Sequence, residues 1–333
     1  MVTIKDVAAA AGVSVATVSR ALNNQATVDA DLADRVRVAA AELGYRRNGV
    51  ARSLRLQRTD VWALIISDIA NPFFTAVARG LEDVAQEQGY SVVLCNSDED
   101  PAKEARYLDV AVREQVSGVV LSPNEVSSDI SHLQRLGVPV VAIDRPLREP
   151  VDSVLVRSAA GAEEATAHLL EQGWRRPACI TGPESAGTAV QRLTGYRRAM
   201  AAHSSRPPKN LVRYADYRAD RAGEAAADLL DGRYPPDAFF VANSEMALGV
   251  LEELRHRQLL PGRDVGLVAF DDAPWTPFTE RPLTVVAQPA YEMGVLAGRL
   301  LLDRIGVPLD AQPPARTRRL RTELVVRGSS LRG

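Results

Sequence analysis

Disulfides, metal clusters and membrane spans all lack their raw material in this chain. Its 333 residues include two cysteines, Cys95 and Cys179. Each lies in an apolar, strand-like run, which excludes a disulfide framework and points to two buried, reduced thiols. The four histidines, His132, His168, His203 and His256, are scattered without the spacing of a metal site or a catalytic pair, so no metal is expected and all four are read as surface residues. No stretch approaches the roughly 18–20 apolar residues of a membrane helix, and the chain opens on a polar helix where a signal peptide would need an apolar run. A cytoplasmic protein without membrane contact is therefore expected. Also missing are a GxSxG elbow, a GxGxxG loop after a strand and a phosphate loop. No catalytic residue, no cofactor and no enzyme activity are expected.

What is present begins with an uneven distribution of charge. The net charge is only −2, but residues 1–60 hold nine lysines and arginines against six acids. That leaves +3 at the N-terminus and −5 over the remainder, a positive field confined to one end, where phosphate contacts need it. At 36.0 kDa the chain exceeds the size that one hydrophobic core usually serves, so two or three domains are expected.

The N-terminal segment reads as two short amphipathic helices joined at Gly12. Ile4, Val7, Ala8 and Ala11 recur at helical spacing, Thr3 is placed to cap the first helix, and Ser14 to cap the second. On the second helix Val18 and Leu22 point inward, which leaves Val15, Ala16, Ser19 and Arg20 on the outer face. That is the layout of a helix-turn-helix whose second helix enters a DNA major groove. Arg20 suits a guanine edge; Val15 and Ala16 suit thymine methyls. Thr3, Ser14, Thr17 and Asn23 complete the DNA-facing candidates. A third helix follows, with Val28, Leu32, Val36, Ala40 and Leu43 as its apolar stripe and Gly44 as its left-handed stop. Between Arg46 and Arg58 lie five arginines and no acid. The segment reads as a solvated linker in the free protein; on DNA it can form a short helix capped by Asn48, with Val50, Ala51 and Leu54 on one face.

Beyond Asp60 the pattern becomes short aliphatic strands, near 61–67, 91–95, 118–122, 138–143, 176–181, 238–242 and 265–270, most followed by helical periodicity, with a final strand at 320–326. Such alternation implies parallel sheets covered on both faces by helices. Asn71 as cap, Pro72 at the first helical position and Gly89 at the stop punctuate the first of those helices.

Several segments, in this order and spacing, make a specific signature: TIKDVAAAAGVSVATVSRALNN, ELGYRRNGVARSL, NPFF at 71–74, AIDRP at 142–146, RLTGYRRAM at 192–200, EMALG at 245–249, and VAFDD followed by PLTVVAQP. The chain resembles the lactose-repressor family of bacterial transcription regulators, and the resemblance covers nearly every residue. The resemblance implies an all-α helix-turn-helix domain over 1–46, a hinge helix over 47–59, and a periplasmic-binding-protein-like α/β core of two doubly wound lobes over 60–333. The first lobe takes 60–158 and 291–320, the second 159–289 and 321–330. It implies a homodimer on a palindromic double-stranded DNA operator, with Leu54 wedged between base pairs and Ala51, Arg52 and Arg55 beside it, the arginines at the minor groove or the phosphates. The tail after Val326 has no heptads with which to build a tetramer.

Open α/β sheets bind ligands beyond the carboxyl ends of their strands. Those positions hold Asn71, Phe73, Phe74, Asp144, Arg145, Asn243, Asp271 and Asp272, with Trp275 nearby, a mixture that suits a sugar's hydroxyls and C–H faces. Each residue has a plainer reading beside that one. Asn71 serves equally as a helix cap alone. Phe73 and Phe74 are helix neighbours, so one is expected in the core and the other at the ligand. Arg145 beside Asp144 fits an ordinary surface pair. Arg192 sits among arginines where solvated charge is the default, but its place in RLTGYRRAM matches a family position that reaches the effector; Tyr217 matches the family's aromatic wall. Two departures bear on the ligand. Many relatives carry Asp-Asn where this chain has Arg157-Ser158, and sugar-binding relatives carry a carboxylate where Ser244 stands. That removes a bidentate acceptor and keeps a nucleoside or purine as the alternative to a sugar. A solute-binding protein would share the lobes, but not the helix-turn-helix.

Overall fold

The computed structural model describes residues 2–22, 28–45, 59–203 and 210–332, in two compact units, Met1–Thr59 and Asp60–Gly333. In the first unit, α1 (Ile4–Ala11), α2 (Val15–Leu22) and α3 (Ala30–Glu42) enclose a small core of Val7, Ala8, Ala11, Val18, Ala21 and Val36. The Asp6 carboxylate accepts hydrogen bonds from both the backbone N–H and the hydroxyl of Thr3, each at 2.7 Å, which locks the first turn and holds the Asp6 pKa down. Gly12 supplies the left-handed turn at φ 65°. Ser14 Oγ accepts from the Thr17 N–H at 3.1 Å, and Asp29 caps α3 by accepting from Asp31 and Leu32. Arg35 donates to the Ala11 carbonyl at 2.7 Å, tying α3 to the end of α1. Leu43 departs from the expected stripe: it terminates α3 and is 37% exposed, while Ala39 and Ala40 fill the buried face.

The second unit alternates strands and helices: β1 (Val61–Ile66), α4 (Pro72–Glu87), β2 (Ser91–Asn96), α5 (Pro101–Arg113), β3 (Gly118–Leu121), α6 (Ser131–Arg135), β4 (Val140–Ile143), β5 (Asp152–Val156), α7 (Ser158–Glu171), β6 (Pro177–Thr181), α8 (Gly187–His203), β7 (Val212–Tyr214), α9 (Ala219–Leu230), β8 (Ala238–Val241), α10 (Ser244–His256), β9 (Gly266–Phe270), β10 (Thr284–Ala287), α11 (Ala290–Leu302), β11 (Thr317–Leu320) and β12 (Glu323–Val325). Two six-stranded sheets result, ordered β11-β5-β4-β3-β1-β2 and β12-β10-β9-β8-β6-β7. All pairings are parallel except β10 with β12. Strands such as β1, VWALII, are apolar on both sides because helices cover both faces.

The chain passes between the sheets three times, after β5, after β10 and between β11 and β12. The last crossing corrects the single final strand expected at 320–326. Thr317–Leu320 lies parallel to β5 in the first sheet, whereas Glu323–Val325 runs antiparallel to β10 in the second. Two hydrophobic sheet edges need covering, and one short tail serves both. His168 also departs from its surface reading. It is buried on α7 with Nε2 2.8 Å from Ser330 Oγ, which in turn bonds Thr284 Oγ1 at 2.7 Å, because the tail folds back over the second sheet. Burial holds its pKa below the usual histidine value. His132, His203 and His256 are exposed, and Cys95 and Cys179 are buried free thiols. Among the described residues no helix is long and apolar enough to cross a membrane, and no group of three potential metal ligands converges.

Helix α11 returns the chain to the first lobe by packing on α4 at very close range. A Cβ added to Gly80 would overlap the Tyr291 carbonyl, and one on Gly294 the Val77 carbonyl. Asp152 then fixes the following segment, accepting from Arg304 at 2.7 Å and Arg316 at 3.1 Å. Gly80→Ala gains about 1 kcal/mol of helix propensity but forces apart two backbones. We expect overpacking of about 1–3 kcal/mol to outweigh that gain, seen as a lower urea midpoint for the core. A midpoint at or above wild type would contradict the close approach.

Candidate effector and operator sites

The carboxyl ends of the strands of both sheets meet in a narrow cavity of about 30 Å³, room for about two waters. Its walls are Asp68, Asn71, Phe73, Phe74, Glu99, Asp144 and Arg145 from the first lobe, and Thr188, Arg192, Tyr217, Asn243 and Gln288. Two recesses share its walls: a charged one of about 410 Å³ between Asp68, Glu99 and Arg218, and one of about 720 Å³ against α4 and the start of α11.

The same backbone device builds both halves. After β4, Asp144 donates its N–H to the Val154 carbonyl of β5; after β9, Asp271 donates to the Val286 carbonyl of β10. Each then turns out of its sheet at positive φ, 62° and 75°, a conformation that Asp tolerates better than most residues and that concentrates at functional sites. Asp144 lines the cavity; Asp271 stands just behind its wall, where it accepts from Gln288 Nε2 at 2.5 Å. Burial pushes both carboxyls above the ordinary range. Arg192 and Arg145 offset part of that shift at Asp144, and Arg192, Gln288 and Asn71 at Asp271.

Asn71 and Asn243 act twice. Asn71 Oδ1 accepts from the Phe73 N–H and Asn243 Oδ1 from the Met246 N–H, both at 2.9 Å, while both side chains line the cavity. Phe73 and Phe74 also share the cavity wall, packed edge-on at 4.9 Å. The expectation of one in the core and one at the ligand is corrected: the two rings sit at the N-terminal turn of α4, where the helix end itself faces the cleft. Arg145 is buried and holds Glu99 through both terminal nitrogens, at 2.7 and 2.5 Å, so the surface-pair reading fails. Arg192 lies with its guanidinium 3.9 Å above the Phe270 ring and donates to the Ala242 carbonyl at 2.5 Å. Tyr217, at φ 59°, bonds Thr188 at 2.9 Å and lies against Gly182, where any Cβ would strike its ring.

Trp275, like Asp271, does not line the cavity. Trp275 packs half-buried on the apolar core of the second lobe, and the neighbouring Asp272 pairs with Arg327 at 2.7 Å and Thr276 at 2.5 Å. Asp68, Glu99, Thr188 and Gln288 were missed. The strand-end rule had the means to find Asp68 and Glu99, since both lie a few residues beyond β1 and β2.

Several polar atoms in and around this cleft are buried without a hydrogen-bond partner: Asp144 Oδ1, Arg145 Nε, Arg192 Nε, Gln288 Oε1 and Ser244 Oγ. Buried polar atoms normally find partners. Such a set of donors and acceptors around two aromatic rings can bond hydroxyls while covering C–H surface.

In the first unit the outer face of α2 presents Val15, at 40% exposure, with Ala16 and Arg20 exposed and Ser19 half-buried. Ser14 and Thr17 bond each other at 2.8 Å, and Thr3 is held by Asp6. Asn23, Ala51, Arg52, Leu54 and Arg55, with the hinge helix expected there, lie outside the described residues.

Comparison with known proteins follows this division. Residues 3–48 match the model of the lacI family of bacterial regulatory proteins, and residues 166–330 that of a periplasmic binding protein-like domain. The chain is 36% identical to the ribose operon repressor of Halalkalibacterium halodurans over 334 residues, covering all of this chain and 98% of that protein. Among solved structures, the transcriptional regulator CelR in complex with cellobiose is 33% identical, with a TM-score of 0.74 and coverage of 99% of this chain and 100% of that one. The lac repressor dimer bound to operator and the anti-inducer ONPF is 26% identical, with a TM-score of 0.84 and 99% coverage of both chains.

Two expectations follow from the site geometry. Arg20→Ala costs about 1–3 kcal/mol on the cognate operator and little on random DNA if Arg20 reads a base edge; equal weakening in gel shifts on both would make it a phosphate contact. Asp144 carries a pKa raised by folding, so its contribution to stability is present in acid and is lost as pH rises through the folded value. Asp144→Asn therefore raises the thermal midpoint of the core at neutral pH and flattens its decline from acid to neutral, whereas a lowered midpoint at neutral pH would contradict the burial cost.

Proposed function

We propose, for a chain that belongs to the lacI family of bacterial regulatory proteins and is a DNA-binding transcriptional regulator, that it represses genes for using a small neutral sugar, with ribose as the first candidate. The cavity carries this reading. Its carboxylates, amides and guanidiniums suit a polyol, and at about 30 Å³ it must widen to admit one pentose ring and would have to widen further for a disaccharide. The relative named for a ribose operon supports the choice. The cellobiose complex supports a sugar but calls for a longer opening than this one.

A ligand between the lobes touches both, so it favours the closed arrangement over the open one, and that difference is the sole source of switching energy. Coupling of about 1–3 kcal/mol changes operator affinity roughly 5–150-fold. A repressor of sugar-utilisation genes does its work if the sugar weakens operator binding, and a two-fold dimer supplies the paired recognition helices that a palindromic operator needs.

Asp271 is the residue to remove. Asp271→Ala abolishes the rise in thermal midpoint with ribose and the loss of operator binding with ribose, while operator affinity without sugar stays within a few-fold. Full sensitivity to ribose in Asp271→Ala would place the effector elsewhere. No response to ribose in the wild type, with a response to cellobiose or a nucleoside, would replace the candidate.

A further inference from the structure

Both terminal nitrogens of Arg145 are already held by a protein carboxylate, whereas Arg192 bonds one carbonyl and keeps Nε unpaired, and this bears on which forms of a ligand the site accepts. Arg145 directs both terminal nitrogens at Glu99, at 2.7 and 2.5 Å, lies 3.4 Å from the Pro123 carbonyl, and has Nε 3.6 Å from Asp144. Arg192 is covered on one face by Phe270 and feels the charges of both Asp144 and Asp271. Around the cavity, Asp68, Glu99, Asp144 and Asp271 stand against Arg145 and Arg192. With all six ionised the balance is −2, and Arg145 is met at close range by both Glu99 and Asp144. A phosphate receptor needs guanidinium donors left open to the ligand and a positive surrounding field.

Glu99 is placed where it is by unusual backbone. It and Asp98 are consecutive non-glycine residues at positive φ, 56° and 52°, and its N–H donates to the Ser67 carbonyl at 3.0 Å. That turn carries the side chain from the end of β2 into the cavity. Asn96, whose Nδ2 donates to Asp98 at 2.6 Å, and Lys103 hold the turn from outside. Backbone of this kind persists only where the surroundings enforce it.

We propose that Glu99 is the charge-selecting residue of the effector site: by clamping Arg145 bidentately it cancels the cavity's anion receptor, so the site takes a neutral polyol and rejects its phosphate ester. This rests on the reading of the cavity as a small-sugar site. A phosphorylated ligand would have to displace Glu99 from a buried, doubly hydrogen-bonded pair and then lie beside that displaced carboxylate and Asp144. The regulator accordingly reads the sugar before phosphoryl transfer, and the class of reaction that ends its signal is the kinase step that phosphorylates the sugar.

The test follows the thermal midpoint of the full chain, wild type and Glu99→Gln, with ribose, ribose 5-phosphate and inorganic phosphate at matched ionic strength. In the wild type, ribose raises the midpoint, inorganic phosphate does not, and ribose 5-phosphate binds at least about 100-fold more weakly than ribose, as like-charge juxtaposition demands. Glu99→Gln frees Arg145, so inorganic phosphate stabilises the variant and the preference for ribose over its phosphate narrows by at least about tenfold. Glu99→Asp, which keeps the charge, retains rejection of phosphate. Stabilisation of the wild type by phosphate, equal binding of ribose and its phosphate, or an unchanged preference in a folded Glu99→Gln would each overturn the proposal. If Glu99→Gln fails to fold, the wild-type comparison decides. If ribose is without effect, the ligand assignment falls, and the inorganic phosphate measurements still decide the role of Glu99.

Discussion

Everything at the centre of the core follows from forcing charged groups into the seam between two parallel sheets. Parallel strands end together, and their carboxyl ends carry the loops. Here two sets of such loops face each other across about 30 Å³. Four acids and two arginines crowd that seam, and most of their pairing is internal: Glu99 with Arg145, Gln288 with Asp271, Arg192 with the Ala242 carbonyl. Burying charge is costly unless it is paired, and the pairing here is incomplete. Asp144 Oδ1 and the Nε atoms of both arginines are left without hydrogen bonds. A ligand that supplies those bonds gains affinity from a cost the fold already bears.

The lobes contribute in parallel fashion. Asp144 and Asp271 leave equivalent strands through equivalent left-handed turns, and Asn71 and Asn243 cap the helices that follow β1 and β8. Neither lobe holds a complete set of partners for a polyol. That division lets a small molecule bias lobe closure, since its contacts are complete only when both sets are in reach.

Much of this was legible in the sequence because it rests on local rules. Thr3, Gly12 and Ser14 punctuate the first two N-terminal helices, and aliphatic runs locate most strands of the core. The strand-end rule pointed to Asn71, Asp144, Arg145, Asn243 and Asp271 without knowledge of the topology. The failures share a cause, dependence on distant segments. His168 is buried by Ser330, far along the chain. The tail divides between two sheets because each sheet has an edge to cover. Trp275 packs on the core of the second lobe, and Asp272 is paired with Arg327, far along the chain. Glu99 reaches the cavity through two left-handed residues that composition does not announce, and that turn decides what Arg145 is able to bind.

The central claim is that the unpaired polar atoms of the seam are the receptor for a polyol. A crystal structure of the chain grown with ribose tests it most directly. The account predicts one sugar between the lobes, with hydroxyls within hydrogen-bond distance of Asp144 Oδ1 and Arg192 Nε and the Phe73 and Phe74 rings against its C–H surface. Ribose bound outside this cavity, or bound within it while those atoms stay unpaired, would contradict it.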